Sequence, residues 1–214
     1  MDTETFEQFL EQLQRYVRER LIPAEKLVIE HDVIPDSIVS EMRDMGLFGL
    51  TTPIEFGGAG MNVTQYATTM CALGYAMPGF RSLITINTGM FGTALKNGGT
   101  PEQKREWFPR IAAGDIASFG LTEPGSGSDS ASLQTTAERR ADGWILNGTK
   151  RYITNAPSAQ VALIMARTCK DNLPRNAHVS AFIVPLDRPG VTIGKPDKKM
   201  GQAGSQIADI MLDA

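Results

Sequence analysis

The sequence predicts an α+β protein, an α-helical half followed by a β-rich half. Three observations carry that reading. Apolar residues recur at three- and four-residue steps up to Gly114. After Gly114 the chain turns to short runs rich in β-branched and aromatic residues. The turn residues "ADG", "NG", "RPG" and "KPD" punctuate those runs. The expected domains are residues 1–114, helical, and 115–214, built of strands.

Each element follows from local chemistry. Phe6, Phe9, Leu10, Leu13, Val17 and Leu21 form one stripe of a first helix, and Pro23 breaks or bends it. A second helix starts near Pro35 and runs through Ile38, Met42 and Met45, with Gly46 suited to a left-handed cap. "TTPIEFGGAG" is too glycine-rich to be regular. Helices are expected near Thr64–Ala76 and Arg81–Lys96. In "TPEQKREWFPRIAAG", Thr100 caps, Pro101 takes the first helical position and Gln103 completes a capping box. Trp107, Phe108 and Ile111 supply its buried face. Strands are expected near Ala117–Leu121, Ser132–Arg139, Trp144–Asn147, Lys150–Thr154, Val161–Arg167, Val179–Pro185, Val191–Pro196 and Ile207–Leu212. Asn147-Gly148 reads as a hairpin turn, because both central residues of such a turn favour positive φ. "RTCKDNLPRNAH" (Arg167–His178) reads as a solvated hairpin tip.

Composition narrows the function. A formal net charge of −3 offers no basic surplus for a polyanion, so nucleic acid is not an expected partner. Two cysteines make no disulfide framework or metal clip, which suits a reducing, cytoplasmic setting. No apolar run approaches the roughly twenty residues of a membrane span. The acidic start "MDTETFEQFLEQ" lacks the pattern of a signal peptide.

One stretch concentrates chemistry: Leu121–Asp129, "LTEPGSGSD". Gly125 and Gly127 let a backbone approach a ligand, and Ser126 and Ser128 bring hydroxyls. Consecutive N–H groups in such a loop can form an anion nest; a plain turn between domains uses the same residues. Glu123 and Asp129 read as acids that tie the loop down. Familiar devices fail here. "PGSGSD" lacks the spacing of a nucleophile elbow. "GWILNGTK" reverses the last pair of a P-loop, and "GGAG" lacks the third glycine of a dinucleotide fingerprint. His31 and His178 lie far from the loop in sequence and read as surface or cap residues.

Taken in order, "GTPEQK", "LTEPGSGSD" and "NGTKRYITN" resemble the acyl-CoA dehydrogenase flavoprotein family, and "KKMGQAGSQIADIMLDA" resembles the close of its middle domain. The resemblance covers essentially the whole chain. It implies an N-terminal α-helical domain and a β-barrel-like middle domain. FAD would lie between the latter and a C-terminal helical domain. Carried onto this sequence, Phe119 to Ser128 run along the flavin. Leu121 and Thr122 lie near its ring, and Gly127 and Ser128 at its pyrophosphate, with Ser128 also approaching the acyl-CoA. Tyr152 stands where the family usually has Trp, stacked on the isoalloxazine. Ile153 follows it, and Thr154 bonds near flavin N5.

The implied reaction is α,β-dehydrogenation of an acyl-CoA thioester, with electrons passing to an electron-transfer flavoprotein. Residues near Thr85–Gly89 are expected to help line the acyl pocket. The implied catalytic base, a glutamate of the C-terminal domain, falls beyond Ala214. That domain is therefore expected to be missing from this chain, and this portion alone to be inactive. The full-length protein is expected to be a homotetramer or homodimer in fatty acid metabolism. Acyl-CoA oxidases and flavin monooxygenases share the motifs, and a non-catalytic flavin-binding relative is a further alternative.

Overall fold

A computed structural model describes residues 1–168 and 178–213. They form two compact units, Met1–Ile116 with Lys199–Gln206, and Ala117–Lys198 with Ile207–Ala214.

The first unit is helical. Helix α1 (Thr3–Tyr16) opens on Asp2, whose Oδ1 accepts the Thr5 N–H at 2.9 Å. Its stripe packs as the period requires: Leu13, Val17 and Leu21 are buried, and Phe6, Phe9 and Leu10 half-buried. Pro23 does not end the helix. A π turn at Val17–Leu21 lengthens the hydrogen-bond step, so Ile22 N donates to Val17 O, and α2 (Ile22–His31) continues through the proline. The widened turn gives room to a ring that would otherwise meet the carbonyl four residues back. Helix α3 (Asp36–Asp44) ends as predicted, with Gly46 at φ 69°.

Helix α4 (Val63–Leu73) carries a capping box between Asn62 and Gln65. The expected single helix over Arg81–Lys96 is α5 (Pro78–Thr85), a π turn (Ile86–Phe91) and α6 (Gly92–Gly98). Helix α7 (Pro101–Ala112) has the predicted box, with Gln103 N donating to Thr100 Oγ1 at 3.3 Å and Thr100 N to Gln103 Oε1 at 2.9 Å. Thr100→Ala should lower stability by about 1 kcal/mol, read as a lower urea midpoint at constant slope. Trp107, Phe108 and Ile111 are buried. Lys199–Gln206 completes this unit: Gly204 N donates to Asp32 Oδ1 at 2.8 Å.

The second unit is a curled mixed sheet. Its strands are β1 (Ala117–Gly120), β2 (Thr136–Arg140), β3 (Gly143–Thr154), β4 (Val161–Arg167), β5 (Val179–Pro185), β6 (Val191–Ile193) and β7 (Ile207–Leu212). The order is β1-β4-β2-β3-β7-β6, with β5 also paired to β4. β1 runs parallel to β4, and β5 antiparallel to it. Ile153, Ala156, Ala162, Ile164, Ala208, Ile210 and Leu212 form its core.

Asn147-Gly148 is not a turn. It lies inside the 12-residue strand β3, and the hairpin turns instead at Ala141-Asp142, where Arg140 pairs with Gly143. Gly148 has φ 150°, and a Cβ there would lie 2.5 Å from Thr135 Oγ1. The glycine answers a close approach of chain, not a reversal. It also marks where β3 changes partner, from β2 through Asn147 to β7 from Gly148 onward. The strand expected from Ser132 begins only at Thr136, because Ser130–Ser132 forms a 3₁₀ turn.

Candidate functional site

The loop after β1 is fastened to β3 through a buried ion pair. Lys150, on β3, is fully buried, and its Nζ donates to Glu123 Oε1 at 2.6 Å and to Leu121 O at 3.3 Å. Glu123 Oε1 also accepts from Thr135 N at 2.9 Å and Thr135 Oγ1 at 2.5 Å, and its Oε2 from Gln134 N at 2.5 Å. Between these anchors Arg151 N donates to Thr122 O at 2.8 Å. Two consecutive strand residues thus hold three consecutive loop residues. Burial works against the Glu123 carboxylate, but the Lys150 ammonium, the Thr135 hydroxyl and two peptide N–H groups outweigh it and hold its pKa below the ordinary value. Burial lowers the Lys150 pKa, and Glu123 restores it only in part.

The loop closes on itself through paired Glu123 and Ser126 peptides at 2.9 and 3.2 Å, and Ser126 Oγ donates to Asp129 O at 2.8 Å. Asp129 takes the Ser132 hydroxyl, and Arg167 donates to Ala131 O and Leu133 O at 2.8 and 3.0 Å. Glu123 and Asp129 are therefore tethers, as their sequence context suggests.

What the tethers leave free is the interest of the site. Among the described residues, the peptide N–H groups of Thr122, Gly127 and Ser128 make no hydrogen bond, nor do the hydroxyls of Thr122, Ser128 and Thr154. Gly127 and Ser128 are exposed, and a Cβ on Gly125 or Gly127 would meet no atom within 4 Å. Packing within the chain does not require glycine there, and the backbone at both positions is open.

Beside the loop, β3 bulges. Its register against β7 shifts between Lys150 and Ile153. Tyr152 sits in the bulge at φ 59°, a conformation costly for a bulky side chain, and is 54% exposed. The Arg151 guanidinium lies 4.8 Å from the Tyr152 ring centre and 3.4 Å from Asp209 Oδ2. Asn155 is left-handed too, at φ 66°, and its Nδ2 reaches Ala117 O at 3.4 Å, tying the end of β3 to the start of β1. A glycine relieves left-handed strain but loses more backbone entropy on folding. Tyr152→Gly should therefore change stability by less than about 0.5 kcal/mol, whereas Ile153→Gly, in the core, should cost about 4 kcal/mol; thermal unfolding separates the two.

The predicted residues thus divide. Leu121 and Thr122 are half-buried at the gripped end of the loop, and Gly127 and Ser128 lie at its open end. Phe119 is half-buried on β1, opposite Leu163, and Thr154 half-buried on β3, opposite Ile207. Ile153 departs from expectation: its side chain is 3% exposed within the sheet core, so only its peptide groups can face a ligand. Sequence reasoning passed over Lys150, Thr135 and Arg167. No local signal marks them, because the Lys150–Glu123 contact spans 27 positions and the bulge that follows Lys150 hides which face it takes. His178, read as a surface or cap residue, is buried. Residues 169–177 of the expected hairpin tip lie outside the described residues.

The helical unit has its own cavity, about 300 Å³, lined by Thr51, Met61, Tyr66, Thr88, Gly89 and Gly92 among others. Tyr66 OH and Thr88 Oγ1 stand 2.9 Å apart, and Thr51 Oγ1 donates to Thr88 O at 2.7 Å. Among the described residues, no helix is long and apolar enough to cross a membrane.

In class, this is a helical unit followed by a curled mixed sheet that presents an open, donor-lined loop beside a bulged aromatic. Residues 3–115 match the acyl-CoA dehydrogenase N-terminal domain, and residues 118–214 the acyl-CoA dehydrogenase middle domain. The chain belongs to the acyl-CoA dehydrogenase family. Human mitochondrial short-chain specific acyl-CoA dehydrogenase is 34% identical over 211 residues, covering 98% of this chain and 51% of that protein. Glutaryl-CoA dehydrogenase from Mycobacterium smegmatis in complex with FADH2 superposes with a TM-score of 0.88 at 33% identity, covering 100% of this chain and 53% of that one. Butyryl-CoA dehydrogenase from Megasphaera elsdenii gives 0.91 at 27% identity, covering 100% and 57%. The chain spans about half the length of the curated relatives it matches.

Proposed function

We propose that this chain forms the helical unit and the flavin-gripping sheet of an FAD-dependent acyl-CoA dehydrogenase. The observation that carries the reading is the loop held rigidly by Lys150 and Arg151 while Thr122, Gly127 and Ser128 keep donors uncommitted. These features fit a ligand with a flat ring and an anionic diphosphate tail. When bound, FAD supplies a hydride acceptor for α,β-dehydrogenation of an acyl-CoA thioester.

Each residue then has a task. Gly127 and Ser128 offer N–H and hydroxyl donors to the diphosphate, as such loops do for anions. Ser128 also approaches the acyl-CoA. Leu121, Thr122 and the peptide groups of Ile153 border the ring, and the Thr154 hydroxyl donates to it. Phe119 backs the loop from β1. The outward Tyr152 ring gives an aromatic face for stacking and keeps water away. Glu123 is excluded as the base, because its carboxylate is committed to Lys150, Thr135 and Gln134. The α-proton falls instead to a carboxylate of the C-terminal helical domain that the family resemblance implies. The hydroxyl-edged cavity by Thr88 would receive the acyl group. Electrons would leave to an electron-transfer flavoprotein, from a cytoplasmic homotetramer or homodimer.

The test is the visible spectrum of the purified full-length protein. Absorption bands near about 370 and 450 nm, bleached anaerobically by an acyl-CoA, are expected. A full-length protein that holds no flavin and takes none up would refute the proposal.

A further inference from the structure

We propose that Lys150 is a positioning residue that strengthens the Thr122 N–H as a hydrogen-bond donor to the bound flavin, through the Leu121–Thr122 peptide; this rests on the flavin reading above. The geometry is specific. Lys150 Nζ donates to Leu121 O, and that carbonyl belongs to the same peptide unit as the Thr122 N–H. Drawing electron density toward the carbonyl oxygen leaves the N–H at the other end more positive, as in any chain of coupled hydrogen bonds. The Thr122 N–H has no acceptor among the described residues, so its strengthened donation is available to a ligand. Thr122 is also fixed from the other side, by Arg151 N on its carbonyl at 2.8 Å.

Placement makes the lysine effective. With no exposed surface, its charge is screened little by water; the Glu123 carboxylate offsets part of the field, and the direct donation from Nζ to Leu121 O carries the effect. Glu123 makes the buried ammonium tolerable and aims it, by holding Nζ at 2.6 Å beside Leu121 O. The other charged groups near the loop do less. Arg151 is partly exposed and turned to Asp209, and Asp129 is exposed. A stronger N–H donor favours the more negative, reduced form of a flavin, so Lys150 raises the potential and tightens binding without touching either cofactor or substrate.

The test uses the full-length protein with FAD as the probe. Lys150→Met with Glu123→Gln removes both charges while keeping chain length, and the double variant should fold. Its flavin potential is expected to shift to more negative values, and its FAD dissociation constant to rise about tenfold, in keeping with the loss of one charge-assisted hydrogen bond. Arg105→Ala, at an exposed ion pair, should leave both at wild-type values. A purely structural role for Lys150 predicts a lower unfolding temperature with an unchanged potential, and that result would overturn the proposal. If the double variant does not fold, ¹⁵N resonances of the wild-type holoprotein decide. A charged Lys150 Nζ with a Thr122 amide shifted downfield on FAD binding supports the coupling, and a neutral Nζ or an unmoved amide rejects it. Failure of the wild-type protein to bind FAD would instead remove the flavin reading.

Discussion

Glu123→Ala is expected to cost about 4 kcal/mol of stability, seen as a large drop in the urea midpoint. The substitution strands a fully buried ammonium and withdraws the acceptor from the Gln134 and Thr135 N–H groups and the Thr135 hydroxyl. Each orphaned donor in a low-dielectric setting loses far more than an exposed ion pair such as Arg105–Glu102 contributes. The same carboxylate sets an acid limit. Its folded pKa lies below the ordinary 4.5, so as pH falls the unfolded chain takes up its proton first. The Glu123 contribution is therefore full above about pH 4.5 and is lost as pH falls through the depressed folded value. Glu123→Gln should flatten that acid-side slope. An unchanged slope would show that the pair does not govern acid stability.

Gly148→Ala should be nearly as damaging, at about 3 kcal/mol. The new methyl would lie 2.5 Å from Thr135 Oγ1 and 2.8 Å from Thr135 Cα, and φ 150° is unfavourable for alanine. Thr135 is also the residue that donates twice to Glu123. Pushing it away loosens the loop at a distance, so flavin affinity should fall along with stability. Alanine at the exposed, uncrowded Gly125 should leave stability within about 0.5 kcal/mol of wild type. Chemical denaturation of the two variants side by side tests the contrast.

These two positions also show where sequence reading stops. Local signals were legible. The box at Thr100 and Gln103, the left-handed Gly46 and the stripe through Leu13, Val17 and Leu21 all depend on neighbours a few residues away. Asn147-Gly148 has the composition of a turn, but its glycine answers Thr135, which lies outside any local window. Pro23 reads as a break or bend, but the helix runs on through it, and the π turn that absorbs it has no composition of its own. For the candidate site, "LTEPGSGSD" and "YITN" were visible as segments with uncommon chemistry. That Lys150 joins Glu123 was not visible, because the contact spans 27 positions and links a strand to a loop. The bulge at Tyr152 escapes for the same reason, since register is a property of two strands. Ile153 adjoins the expected ligand-facing residues, but the bulge between Lys150 and Ile153 turns both of these side chains inward.

Hydrogen exchange of the flavin-free full-length protein, with and without added FAD, tests the central claim most directly. The account predicts slowed exchange at Leu121–Asp129 and Arg151–Thr154, with α1 unaffected. Protection confined to other segments, or none on the loop, would contradict it.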